Sequence, residues 1–220
     1  MKISTNTVIP QHSAKLIAFA ANTRFEDIPA EAITYARRCL IDAIGCGLFG
    51  ASQPWTKILA AQLLAEKSQG ASTVFGHATP LAAPAAALIN GTAIHGFELD
   101  DLLSAAVIHP GTVVIPALLA VAEDANASGA DLLCAIAIGY EVTARISIAM
   151  GQDASQRGFH KTAIVGPVAS AIAAASLLKL SVEQITCAAG IAASTASGVD
   201  RKSTRLNSSH VSESRMPSSA

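Results

Sequence analysis

Charge is what this chain has least of. Only 14% of its 220 residues are charged and the net charge is −1, so nothing points to a nucleic-acid backbone as a partner. Aromatic residues make up 4%, which leaves an aliphatic core. The N-terminus, MKISTNTVIPQHS, lacks the apolar centre of a secretory signal. No apolar stretch runs uninterrupted for the roughly 18 to 20 residues of a membrane span. The longest, such as 167–178, carry small or hydroxyl residues and read as buried core helices. Four cysteines (Cys39, Cys46, Cys134, Cys187) show no C-x-x-C pairing, which argues against a disulfide framework and a zinc site. Buried free thiols in a reducing, cytoplasmic compartment are the expectation, with neither membrane nor nucleic acid as a partner.

What is present is apolar and mostly small. Hydrophobic residues reach 51% and the mean hydropathy is +0.43, with alanine prominent. Apolar periodicity predicts helix after helix with short connections. They cover 13–22, a segment opened by Pro29 and running through glycine-rich Gly45, Gly47 and Gly50, then 55–66, 82–101, 112–125 and 130–150. One more continues past Gly166-Pro167 to Leu180, and a last one starts at Ser181. The run STVF at 72–75 is the only strand-like signal. The predicted class is all-α, a bundle of about eight or nine helices packed through alanine and glycine faces. After Asp200 the character changes to a serine-rich, polar run without periodicity. It resembles translated adapter sequence. The expected organisation is therefore an incomplete helical domain over 1–200 and a disordered, non-native tail over 201–220, with the native chain continuing further.

Ionisable side chains concentrate in 90–116, NGTAIHGFELDDLLSAAVIHPGTVVIP. If 82–101 is one helix, His95, Glu98 and Asp101 spread over roughly 120° of its surface at about 100° per residue, and Asp100 points elsewhere. His109-Pro110-Gly111 forms a turn before the next helix. A histidine held there suits proton transfer near neutral pH, and the helix start behind it offers backbone donors to an anion. A second stretch, GFHKT at 158–162, repeats the design: a polar loop, then His160, then a helix. Each residue alone also fits an ordinary structural role. Together, in a chain so poor in charge, they point to proton chemistry on an anionic substrate. His95 and Glu98 also form an H-x-x-E pattern, half of a carboxylate-bridged metal site. Its partner motif is absent from the sequence, so no metal is expected.

The ordered set NGTAIHGFELDD, HPGTVVIPALLAVAE, GYE, GFHKTAIVGPVASAIAAASLLKL and AASTASG resembles the MmgE/PrpD family over residues 8–200. The resemblance implies a large all-helical domain with a smaller α+β lid domain, the latter absent from this chain. It also implies lyase chemistry on di- and tricarboxylates (2-methylcitrate dehydratase-like), no metal or organic cofactor, and a homodimer. On that resemblance His109 matches the histidine of an H-P-G/S turn, His160 that of G-F-H-x-T, and Asp100 and Asp101 the acidic pair of D-F-D-D-T. Glu98 stands where the family commonly has aspartate, and Leu102 where it has threonine. The departure at Leu102 points to a substrate other than 2-methylcitrate or cis-aconitate. A later lysine and tyrosine of the family site have no counterpart before Asp200. The expected catalytic set is His109, His160, Asp100 and Asp101; Glu98, His95 and Lys161 are expected to bind substrate. The parent enzyme would dehydrate or decarboxylate a small carboxylate, with epimerisation or a non-catalytic assembly role as the alternatives. The chain alone is expected to be inactive.

Overall fold

A computed structural model of the chain describes residues 11–66 and 68–198; the expected tail at 201–220 lies outside the described residues. Among the described residues there are nine α-helices and one short 3-10 turn at Phe25–Asp27. The helices are α1 (Gln11–Asn22), α2 (Ala30–Gly50), α3 (Pro54–Ala65), α4 (Ala83–His95), α5 (Gly111–Asp124), α6 (Gly129–Ala149), α7 (Asp153–Gln156), α8 (Lys161–Leu177) and α9 (Val182–Thr195). The all-α expectation holds. The STVF run contributes no strand, only an isolated bridge from Ser72 to Leu81.

Local chemistry explains most helix starts. Pro54 opens α3, where its missing N–H costs nothing. Ser128 caps α6 by accepting from the Asp131 N–H at 3.1 Å. Ser181 and Gln184 form a reciprocal capping box at α9. The start of α8 is different: His160 makes no side-chain cap and no acid lies in the first turn.

Small residues set the packing, as the composition suggested. A Cβ on Gly50 would strike the Ala93 carbonyl, so α2 and α4 touch backbone to backbone. A Cβ on Gly166 would lie 2.6 Å from Val113 Cγ1, so α5 and α8 also approach closely. Gly166-Pro167 does not break α8, which continues through both residues. The core divides into clusters centred on α2, α5 and α6, on α1, α6 and α8, and on α3 and α4. Ile94, Ile108, Ile115 and Ile136 are fully buried, each contributing roughly 1.5–3 kcal/mol of transfer free energy.

Helix α6 is long and apolar enough to cross a membrane by length and composition, with a mean hydropathy of 1.6 over its best window. Asp131, Glu141 and Arg145 interrupt it, so it holds no long uninterrupted apolar run. In the structure one side of α6 packs into the core clusters. Glu141 and Arg145 form an exposed ion pair on it, with Nε to Oε1 at 2.6 Å.

The predicted helix over 82–101 is the element that fails. Helix α4 stops at His95, capped by Gly96, whose N–H reaches the Thr92 carbonyl at 3.0 Å. Three residues on, Glu98 takes a left-handed φ of 54°, which no right-handed helix tolerates. Glu98 and the two aspartates therefore sit on a loop, and the helical-face argument for them does not apply.

Candidate active site

That loop turns one carboxylate toward the histidines. Asp100 is 6% exposed. Its carboxylate lies 3.0 and 3.2 Å from His95 Nδ1 through Oδ2 and Oδ1, and Oδ2 lies 3.4 Å from His109 Nδ1. The His109 contact is within ion-pair reach but misses hydrogen-bond geometry, so buried Nδ1 has no bond of its own. The rings of His95 and His109 are 4.8 Å apart, and His160 stacks on His95 at 5.8 Å. His95 ends α4, His109 precedes α5 and His160 precedes α8. Three helix termini thus gather three imidazoles, two of them on one carboxylate and the third stacked on His95.

Burial pushes the Asp100 carboxyl up, but its contacts with His109 and His95 outweigh it and hold the pKa down at about 2. The same carboxylate raises His109 above the usual imidazole range, against the opposing effect of burial. His109 is therefore biased toward the imidazolium. His95, with Nδ1 on Asp100, is left with Nε2 to offer as an acceptor when neutral.

Asp101 goes the other way. Its Oδ1 accepts from the Gly111 N–H at 2.9 Å, capping α5. The backbone donors expected to hold a substrate anion are thus partly taken by the chain's own carboxylate. Burial raises the Asp101 pKa, with the Tyr140 hydroxyl and the Gly111 N–H opposing. It faces a second cavity of about 610 Å³, lined in part by Tyr35, Cys39, Leu102 and Tyr140. So the expected orientation of the pair is reversed: Asp100 meets the histidines and Asp101 turns away, because the helix ends before reaching them.

The cleft on the histidine side has a volume of about 800 Å³. Of the seven residues singled out from sequence, His95, Glu98 and His160 line it. His109, its side chain 21% exposed, and buried Asp100 adjoin His95 without lining the cleft themselves. Asp101 lies on the far side, and Lys161 is buried with Nζ donating to the Ala106 carbonyl at 3.0 Å. Its substrate-contact role finds no cleft exposure to support it. Hydroxyls on the wall are already donating: Thr92 to the Leu88 carbonyl, Thr112 to Gly91 and Ser170 to Val113, at 2.8 to 3.0 Å. These three present lone pairs, so a bound carboxylate must look to imidazole N–H groups or to the Thr162 hydroxyl, which also lines the cleft. Thr162, whose Oγ1 accepts from the His109 N–H at 3.3 Å, was missed from sequence although it closes the GFHKT motif. Only the fold brings it to His109, and no local signal marks that contact.

The ligand atoms of His95, Asp100 and His109 lie within 4.8 Å of one another, a set able to close on a metal ion. It is not the H-x-x-E half-site read from sequence. The carboxylate–imidazole contacts account for its closeness on their own.

Comparison with known proteins adds three findings. The profile of the MmgE/PrpD N-terminal domain matches residues 14–215. The cis-aconitate decarboxylase-like protein oryM of Aspergillus oryzae is 35% identical over 90% of this chain and 43% of its own length. Cis-aconitate decarboxylases of Aspergillus terreus and Homo sapiens are 33% and 34% identical, over 85% and 74% of this chain and 39% and 35% of their own lengths. The chain thus spans about two-fifths of the length of these relatives.

Proposed function

The chain belongs to the MmgE/PrpD family, and from that premise we propose that it is the helical part of a lyase acting on a small di- or tricarboxylate. The reaction is decarboxylation or dehydration by acid–base proton transfer, without a cofactor. The observation that carries this reading is the imidazole cluster around Asp100 at the edge of an 800 Å³ cleft. The relatives' printed activity, cis-aconitate decarboxylation, makes a tricarboxylate the first substrate to test.

For decarboxylation, the bond from carbon to one carboxylate breaks and carbon dioxide leaves. The electron pair left behind takes a proton from an imidazolium, which recovers one from water. His109, biased toward its charged form by Asp100, is assigned as the acid. His160 and the Thr162 hydroxyl hold a substrate carboxylate from the cleft wall, and His95 offers Nε2 there as a proton acceptor. Asp100 orients His95 and His109 and touches no substrate. No lysine or arginine lines the cleft among the described residues. A multiply charged substrate needs more cationic partners, and we assign them to the part of the relatives' length that this chain does not span. The 220 residues alone are accordingly proposed to be inactive. A cytoplasmic homodimer belongs to the same reading.

The test is a full-length protein carrying this sequence, assayed for carbon dioxide release from cis-aconitate and for water loss from 2-methylcitrate. His109→Asn and His160→Asn serve as controls. Turnover that survives both substitutions sinks the assignment. Inversion at a carbon without loss of mass would place the protein with the epimerases. One observation favours a non-catalytic assembly role: Ile41, Ile58 and Ile191 are about 70% exposed, at 70%, 73% and 68%. A full-length protein inert on every carboxylate tried would support it.

A further inference from the structure

Lys161 breaks two local rules at once. It is 2% exposed, and it occupies the first position of α8, where the positive end of the helix dipole disfavours a cation. None of the ion pairs among the described residues includes it. Its Nζ reaches a single acceptor, the Ala106 carbonyl at 3.0 Å. A desolvated ammonium is a poor way to fill space, and an apolar side chain of similar length does it better. Departures from local preference of this kind concentrate where a chain is constrained for another reason.

What Lys161 holds is the turn leading to His109. The Ala106 carbonyl also accepts from Ser147 Oγ at 3.0 Å. The turn is closed by the Leu103 N–H on the Ile108 carbonyl at 2.9 Å and the Ala106 N–H on the Leu103 carbonyl at 3.1 Å. At its tip Val107 has a φ of 51°, a left-handed conformation that a β-branched residue adopts only when its surroundings impose it. The neighbours of Lys161 act on the same site. His160 stacks on His95, and Thr162 accepts from the His109 N–H. Three consecutive residues thus grip three parts of one cluster.

We propose that Lys161 is a positioning residue: by holding the Ala106 carbonyl it fixes the 103–108 turn and keeps His109 within ion-pair reach of Asp100. It acts through His109 and meets no substrate. The inference concerns the geometry of that pair and holds whether or not the pair serves the proposed lyase.

The test is an NMR titration of the His109 imidazole in this chain and in Lys161→Met, Lys161→Arg and Asp100→Asn variants. The groups facing His109 are Asp100 at 3.4 Å, His95 with ring centres at 4.8 Å, and Asp101 through its charge; His160 stacks on His95. The Asp100→Asn variant gives the value of an unpaired His109. Removing a positive charge without moving anything raises an imidazole pKa or leaves it alone. Loss of the tether has the opposite sign. The expected result is a fall in Lys161→Met by more than half the distance to the Asp100→Asn value, largely restored in Lys161→Arg. An unchanged or raised His109 pKa, with helical circular dichroism intact, overturns the proposal. Should Lys161→Met fail to fold, Ser147→Ala removes the other donor from the same carbonyl. It must then lower the His109 pKa, and a folded Ser147→Ala with His109 unmoved is equally decisive against it.

Discussion

Asp100 and Asp101 are adjacent in sequence and opposite in environment. Asp100 faces two imidazoles and is held near pKa 2; Asp101 faces a backbone N–H and a tyrosine, and burial raises it. Both are largely buried, so burial alone does not separate them. The difference lies in which partners can carry positive charge. A carboxylate beside imidazoles stays ionised and favours the protonated form of His109, whereas one beside neutral donors is drawn toward its neutral form. One side of the loop pairs a carboxylate with imidazoles and the other fixes backbone.

The strongest way to break this contrast is to neutralise each carboxylate in turn. In a full-length enzyme, Asp100→Asn should lower kcat by about 10²–10⁴-fold, the range of a lost acid–base contribution. Asp101→Asn keeps an amide oxygen for the Gly111 N–H and should cost less than about tenfold, the ordinary scale of one altered hydrogen bond. Equal losses would mean that Asp101 also takes part in proton transfer.

The contrast should next appear as opposite pH slopes of stability. Asp100 has a lowered folded pKa, so its contribution is present above the ordinary 3.8 and is lost as pH falls toward about 2. It amounts to on the order of 2 kcal/mol. Asp101 has a raised folded pKa, so its contribution is present at low pH and lost as pH rises through the folded value. His109, also raised, loses its contribution as pH rises. Urea unfolding between pH 2.5 and 7 should show Asp100→Asn falling behind the parent chain as pH rises, and Asp101→Asn gaining on it. Slopes of the same sign would remove the distinction.

A smaller effect is expected from Gly111→Ala. The new Cβ would lie 2.6 Å from Asp101 Oδ1 and 2.9 Å from the Tyr140 hydroxyl. Asp101 is a side chain that can shift, so the loss should be near the low end for overpacking, roughly 1 kcal/mol. Thermal unfolding measures it. The consequence should stay on the Asp101 side and leave the His109 titration where it was.

Much of this was legible in the chain, and what was not has two causes. Helix periodicity placed the bodies of α5, α6 and α9 within a residue or two at their starts, because apolar spacing and serine caps are local. The histidines at helix starts were found because His109 precedes Pro-Gly and His160 follows a polar loop. The orientation of Asp100 was read backwards because 82–101 looked continuous. Gly96 alone does not announce an end, and the left-handed Glu98 has no signature in sequence. Lys161 was given to the substrate because a lysine beside a site histidine is ordinarily a binding group. Only the path of the 103–108 turn shows that its amine faces inward. The first failure is a local break in the backbone at Glu98, and the second is a contact between residues 55 apart in sequence.

Tyr140 supplies the finest test of the contrast. Its hydroxyl is buried beside Asp101 and Cys39, yet makes no hydrogen bond of proper geometry. A buried hydroxyl without a partner costs more than an apolar edge in the same place. Burial, reinforced by the charge of Asp101, drives its ionisation far upward, so it cannot serve as a base near neutral pH. Tyr140→Phe should therefore change unfolding stability by no more than about 0.5–1 kcal/mol, in either direction, and leave turnover of a full-length enzyme intact. Asp101 would lose one of the two neighbours that oppose its raised pKa, so its titration should move further up. A large loss of activity in this variant, with stability unchanged, would show that the second cavity takes part in the chemistry. The two faces of the loop would then be one site.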